Sequence, residues 1–343
     1  MADFLTLPDK QRLEALTFAA DTSGRPVHLL EKDVWVVWSL QQVFAGPYGS
    51  HLVFKGGTSL SKAYKAIRRF SEDIDLTYDI REIAADFIGE AKSILPPSKS
   101  QEKKWTKAIR ERLAEWVAKQ MLPMISSAIA DQKLSAAASA DGDKILIEYK
   151  ALASGTGYVK PTVTLEFGAR STGEPSELRD AVCDAAEHLQ SLAFPSAKPM
   201  VMRPERTFWE KATAIHVFCA QGEFRGGDRF ARHWHDLTRL DTAGFVDSAI
   251  ADQVLGKTVA DHKSIFFTEK DAGGNVIDYV AAVSGRLRLV PTDGAFAKLS
   301  VDYKHMVDDG LLLEDAEPFE ELIGHCRAIQ EKVNAANPTP TTK

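Results

Sequence analysis

The sequence predicts an α+β protein. A small mixed sheet with helices occupies residues 1–203, a helical lobe 204–335, and a flexible tail 336–343. Three observations predict this. A short apolar run at 51–54 leads into Gly56-Gly57, then a segment of helical pattern, then the alternating run Asp73-Ile74-Asp75-Leu76. Runs at 144–149 and 158–167 alternate or are apolar throughout, as strands of a hairpin do. From Pro204 onward the apolar residues recur at helical spacing instead.

In chain order, residues 9–20 place Leu13, Leu16 and Ala20 on one helical face, and 29–44 do the same with Val34, Val37, Leu40 and Val43. Gly46-Pro47-Tyr48-Gly49 ends the second helix. The strand, the Gly-Gly turn, a helix and the Asp-x-Asp strand follow. Residues 99–129 form a long charged helix, kinked near Pro123. The small, polar stretch 135–142 is expected as a loop. The hairpin turns near Ser154-Gly155-Thr156-Gly157, and 200–202 adds one short strand. Helices are then expected at 204–220, 229–242, 246–255 and 318–333, with a glycine-rich break at 222–228.

A chain of 343 residues, 44% hydrophobic and 26% charged, has ordinary globular composition. Its net charge of −6 excludes a surface coated in basic residues, though a local basic groove remains compatible with it. Cys183, Cys219 and Cys326 are far apart and odd in number, so neither a zinc spacing nor a disulfide framework emerges, and a cytoplasmic, reducing setting is expected. The start of the chain lacks the basic-then-apolar pattern of a signal peptide, and no run approaches the length that spans a bilayer.

The chemistry concentrates at residues 54–79, FKGGTSLSKAYKAIRRFSEDIDLTYD. Carboxylates at i and i+2 on a strand share a face, so Asp73 and Asp75 project together while Ile74 and Leu76 turn to a core. Two oxygen ligands fixed on a strand suit a divalent metal that holds a nucleotide's phosphates. A Gly-Gly turn lets backbone amides come close to those phosphates, with Gly56, Gly57 and Thr58 or Ser59 as the cradle. Glu166, on the strand-like PTVTLEFGAR, either faces solvent or adds a third carboxylate, for a second metal or for activating a hydroxyl. Ser71 either caps the strand entry or puts a hydroxyl near the terminal phosphate. Phosphorylation there would add about −1.5 to −2 charge beside the aspartates.

A hydrophobic-Gly-Gly turn before an Asp-x-Asp strand resembles the signature of the nucleotidyltransferase superfamily related to DNA polymerase β. Residues 58–72 are slightly longer than the superfamily's usual spacing. They match the AbiEii/AbiGii toxin branch, whose members carry a KGGTSL…RFSEDIDL block. Three more blocks match in order: EKDVW at 31–35, ERTFWEKATAIH at 205–216 and RHWHDLTRL at 232–240. By their residues alone, Lys211 reads as a solvated helix lysine and Asp236 as an i, i+4 partner of Arg232. His233 and His235 face different directions on a helix, which argues against zinc.

The resemblance implies more. It makes Lys211 a catalytic or phosphate-binding lysine, Arg206 and Arg69 secondary phosphate contacts, Arg232 a further one, and Asp236 an active-site acid. Asp236 or Glu166 would assist the acceptor hydroxyl. Lys32 and Asp33 would be structural. It further implies a polymerase-β-like lobe joined to a helical lobe, a need for Mg²⁺ or Mn²⁺ and an NTP, and action as a toxin beside an antitoxin, often a winged-helix regulator. The acceptor would be RNA, the 3′ end of tRNA, so that translation stops. Lys103, Lys107 and Arg110 share a helix face that either is simply solvated or meets RNA; Arg225 and Arg229 offer an alternative contact. A small molecule or a protein side chain as acceptor, or a non-catalytic nucleotide-binding module, are the rival readings.

Overall fold

The computed structural model describes residues 1–155, 159–222, 229–308, 310–312 and 316–336. The expected hairpin-turn residues Thr156 and Gly157, the strand start at Tyr158, Arg225 within the glycine-rich break, and the tail beyond 336 lie outside the described residues. The chain divides into two compact units. The first comprises Met1–Ala63, Phe70–Ile94 and Lys103–Met202; the second comprises Tyr64–Arg69, Leu95–Glu102 and Arg203–Lys343.

In the first unit, helices α1 (Asp9–Ser23) and α2 (Val27–Ala45) precede strand β1 (Leu52–Lys55). Helix α3 (Gly56–Lys62) starts directly at the glycines, and strand β2 (Asp73–Tyr78) carries the aspartates. The long charged segment is a helix, α4 (Lys99–Trp116), one wide π-type turn at Val117–Met121, and a further helix, α5 (Leu122–Asp131). Pro123 sits in the first turn of α5, where its missing N–H is unneeded. Strands β3 (Ala136–Asp141), β4 (Lys144–Tyr149), β5 (Thr162–Gly168), β6 (Ser176–Leu178) and β7 (Met200–Met202) complete a seven-stranded sheet among the described residues. Its order is β3-β4-β5-β2-β1-β7-β6. The β5–β2 and β1–β7 pairs are parallel and the others antiparallel.

The expected loop at 135–142 is instead strand β3, joined to β4 by a tight turn in which Asp141 pairs with Lys144 and Gly142 takes φ 60°. Alanine and serine have little intrinsic strand preference, so the stretch reads as loop. Its hydrogen bonds to β4 decide the outcome.

One face of the sheet is the core. Ile145, Ile147, Val163, Leu165, Ile74 and Leu76 are all buried without exposure. Tyr149 stacks on Trp35 of α2 with ring centroids 5.1 Å apart, and Tyr78 stacks on Trp116 at 4.2 Å. Helix α2 is buried on nearly every side, including the consecutive charges Glu31, Lys32 and Asp33. Buried charges need partners, and each has one. Lys32 Nζ donates to Glu72 Oε2 at 2.5 Å and to the Lys160 carbonyl at 3.0 Å. Asp33 pairs with Lys62 and accepts the Asp184 N–H at 2.7 Å.

Glu31 accepts the Leu152 N–H at 3.0 Å. Burial pushes its carboxyl up to about 7 against an ordinary 4.5, while the backbone hydrogen bonds oppose the rise. A folded-state pKa above the unfolded one means stability that is complete below about 4.5 and lost as pH rises through about 7. Denaturant midpoints are therefore expected to fall between about pH 5 and about pH 8, and Glu31→Gln to flatten that slope. Identical slopes in the two proteins would refute the assignment.

The second unit is helical. Helix α6 (Pro204–Gln221) opens on a proline and closes on Gly222 at φ 67°. Helices α7 (Arg232–Thr242) and α8 (Phe245–Ala251) pack against it, and Trp209 donates to the Ala249 carbonyl at 3.0 Å. The single helix expected over 246–255 is two, because the Asp252 side chain accepts the Leu255 N–H at 2.9 Å and starts a new helix, α9 (Gln253–Phe266). Helices α10 (Tyr279–Val283), α11 (Asp293–Asp308) and α12 (Phe319–Ala336) complete the unit. Cys183 and Cys326 are buried and Cys219 partly so; burial pushes all three thiols up, that of Cys219 to about 12.

Candidate active site

The first unit builds its polar cluster on the open face of the sheet. Ile74 and Leu76 enter the core, so Asp73 and Asp75 turn the other way and stay half-buried. The register adds neighbours. On parallel β5, Thr164 lies opposite Asp73 and Glu166 opposite Asp75; on antiparallel β1, Lys55 lies opposite Asp75. On β4, Lys144 lies opposite Glu166 and bonds its Oε1. One level across four strands thus reads Lys55, Asp75, Glu166, Lys144.

The Gly56 backbone lies directly over Asp75. Gly56 takes φ +79°, and a Cβ there would sit 2.0 Å from Asp75 Oδ2. Only glycine satisfies both demands. Thr58 and Ser59 are fully buried. The Thr58 hydroxyl lies 2.8 Å from Ser71 Oγ and donates to the Asp73 carbonyl, tying the turn to the strand's first residue. Ser59 donates to the Gly56 carbonyl at 2.9 Å. Both hydroxyls therefore brace the turn. Two carboxylates at i and i+2 against a backbone with no Cβ fit a hard divalent cation. Among the described residues, no three of His, Cys, Asp and Glu form a group that could hold a metal ion.

The second unit buries a different cluster. Arg69 grips Asp236 with Nε on Oδ1 at 2.6 Å and an Nη on Oδ2 at 2.8 Å. Lys211 Nζ reaches Asp236 Oδ2 at 2.8 Å. Asp236 has no exposure. Burial alone would raise its pKa, but the two cations and their hydrogen bonds win and hold the carboxylate ionised, well below the usual range. The expected i, i+4 partnership with Arg232 is replaced by these longer-range ones. Arg206 is buried and bonds Glu210 at 3.1 Å, one turn along α6. His233 is held neutral by burial and by Lys211.

The structure thus groups Asp73, Asp75 and Glu166 with the Gly56-Gly57 turn, and separately groups Lys211 with Asp236 and Arg69. Lys55 and Lys144 were missed from the sequence. Lys55 stands beside the glycines, and the Asp141-Gly142 dipeptide is a hairpin signal that would have paired Asp141 with Lys144. The pairing of Lys144 with Glu166 needs the register of two further strands.

Asp75 thus lies against the Gly56 backbone, with Asp73 on the same face of the mixed sheet. The family model described as "Nucleotidyl transferase AbiEii toxin, Type IV TA system" matches residues 38–325, and the chain belongs to this family. It is accordingly a nucleotidyltransferase toxin of a type IV toxin–antitoxin system, with an antitoxin as partner. No curated protein matches the chain. Among solved structures, it is similar to MenT4, a nucleotidyltransferase toxin from Mycobacterium tuberculosis H37Rv, at 16% identity and TM-score 0.38, covering 94% of this chain and 99% of that one. It is also similar to JHP933 from Helicobacter pylori at 16% identity and TM-score 0.37, covering 89% and 90%. Among the described residues, no helix is long and apolar enough to cross a membrane.

Proposed function

We propose that this chain transfers nucleotides from an NTP to the 3′ end of tRNA in the cytoplasm, with Mg²⁺ or Mn²⁺ held by Asp73 and Asp75, and that a winged-helix regulator serves as its antitoxin. The close approach of Gly56 to Asp75 carries the catalytic part of the reading. Turn and carboxylate are built as one piece, as a site for metal-bound phosphates requires. When bound, the ion would supply positive charge to the phosphate oxygens that gain negative charge during transfer.

The chain's own residues divide the remaining work. The Gly56-Gly57 turn lets phosphates approach the backbone, and Thr58, Ser59 and Ser71 hold the turn against β2. Lys211 is the compact cation assigned to the leaving pyrophosphate. Asp236, gripped by two cations, is a poor proton acceptor; its part is to position Lys211 and Arg69. Arg206 and Arg69 remain the secondary phosphate contacts. Glu166, half-exposed beside Asp75, is assigned to the acceptor hydroxyl. The exposed Lys103, Lys107 and Arg110 of α4 offer phosphate contacts to an RNA.

The test is incubation of the protein with each labelled nucleotide, Mg²⁺ and total RNA, resolved on a gel. Label is expected in the tRNA band and is expected to vanish when the 3′-terminal hydroxyls are oxidised with periodate. Label on protein or on a small molecule, or nucleotide binding without transfer, would overturn the acceptor assignment.

A further inference from the structure

Lys144 has no role in the reaction described above, yet it stands at one level with Glu166 and Asp75 on neighbouring strands. We propose that Lys144 is a built-in cation for Glu166: its ammonium takes the place of a second divalent ion, so the site binds one ion only, at Asp73 and Asp75. This rests on the reading of the aspartates as metal ligands.

The register sets the geometry. Residues opposite one another in neighbouring strands present their side chains to the same face. Asp75 and Lys144 are therefore two strand spacings apart, roughly 10 Å, with Glu166 between them. Lys144 reaches inward to this middle position and bonds Glu166 Oε1. Its influence extends further. The Glu166 hydrogen bond is the main reason its own pKa is raised; burial opposes the rise, and the charges of Glu166, Asp143 and, least, Asp73 add to it.

The pair is not a product of burial. The side chains are 43% and 38% exposed, so solvent would stabilise Glu166 without a counter-ion. The strand register imposes the partner. A second dication at Glu166 would have to displace the ammonium and then sit within a few ångström of it. Such a neighbour weakens cation binding by about tenfold or more.

The test is a Mn²⁺ titration in which free aquo-Mn²⁺ is counted by electron paramagnetic resonance. It requires neither nucleotide nor turnover. The native protein is expected to bind one ion per chain. Lys144→Met is expected to bind a second, about tenfold more tightly than any second ion on the native chain. Lys144→Arg should keep single-ion behaviour, and Lys144→Met with Glu166→Gln should return to it. Two ions on the native protein, or superimposable isotherms for native and Lys144→Met, would overturn the proposal. Asp75→Asn separates the two levels of the argument. If it binds Mn²⁺ as the native chain does, the metal reading of the aspartates fails; if it loses the ion while Lys144→Met behaves as native, only the role of Lys144 fails.

Discussion

Gly56→Ala is expected to lower nucleotide transfer by about a hundredfold or more, close to the complete loss expected for Asp75→Asn. Two independent effects combine. At φ +79° an L residue is strained, and the new methyl would lie 2.0 Å from Asp75 Oδ2, where ordinary contact begins near 3.4 Å. Either the turn or the carboxylate must shift by about an ångström, and displacements of that size cost about a hundredfold in a positioned reaction. The measurement is initial transfer rate, with Mn²⁺ affinity and thermal melting alongside. Both transfer and Mn²⁺ affinity should fall, and the melting temperature should fall with them, because the turn leads into the buried Thr58 and Ser59 and must carry an L residue at positive φ. A rate within threefold of native (roughly the 0.6 kcal/mol of one RT) would show that the turn yields easily and that the close approach is incidental.

Asp236→Ala is expected to be the most destabilising single change at the proposed site. It removes the shared partner of Arg69 and Lys211 and leaves two buried cations facing each other. Breaking a buried pair from one side typically costs about 3–5 kcal/mol. Urea denaturation should show a loss of that order, and adding Lys211→Met to the variant should recover part of it. Lys211→Ala alone should behave differently. Asp236 keeps its two-point bond to Arg69, so stability falls less, while transfer falls steeply. If Asp236→Ala stays within about 1 kcal/mol of native, the two cations do not depend on Asp236 for their burial.

Much of the carboxylate cluster's geometry was legible beforehand because it is local. Gly56-Gly57 and Asp73-x-Asp75 lie within one supersecondary unit, and strand alternation alone puts the two aspartates on one face. Glu166 was visible as an acid in a strong strand, but its relation to Asp75 depended on β5 running parallel beside β2, which no local pattern encodes. The ion pairs were legible least of all. Asp236 has a local candidate in Arg232, and sequence reasoning favours it. The actual partner Arg69 is 167 residues away and offers a two-point guanidinium grip that an i, i+4 pair does not match. The charges of α2 follow the same rule: EKD on an apolar helix signals burial needing compensation, yet Glu72, Lys62 and Leu152 could be named only from the fold. Strand β3 was lost because Ala-Ala-Ala-Ser-Ala lacks strand character, and α8 and α9 were fused because Asp252 was read as an interior residue.

The placement of the thiols provides a built-in clock for each unit. Cys183 belongs to the first unit and Cys326 to the second, and both are shut away from solvent in the folded state. With burial holding them in the unreactive thiol form, an alkylating reagent meets them only when the surrounding helices or strands part. Mass-resolved labelling along a denaturant series would therefore date the opening of the α1–α2 core of the first unit, where Cys183 packs with Leu16, Leu30, Val34 and Val37, and of the helical unit separately in one unmodified sample. It would show whether the toxin comes apart in one event or two.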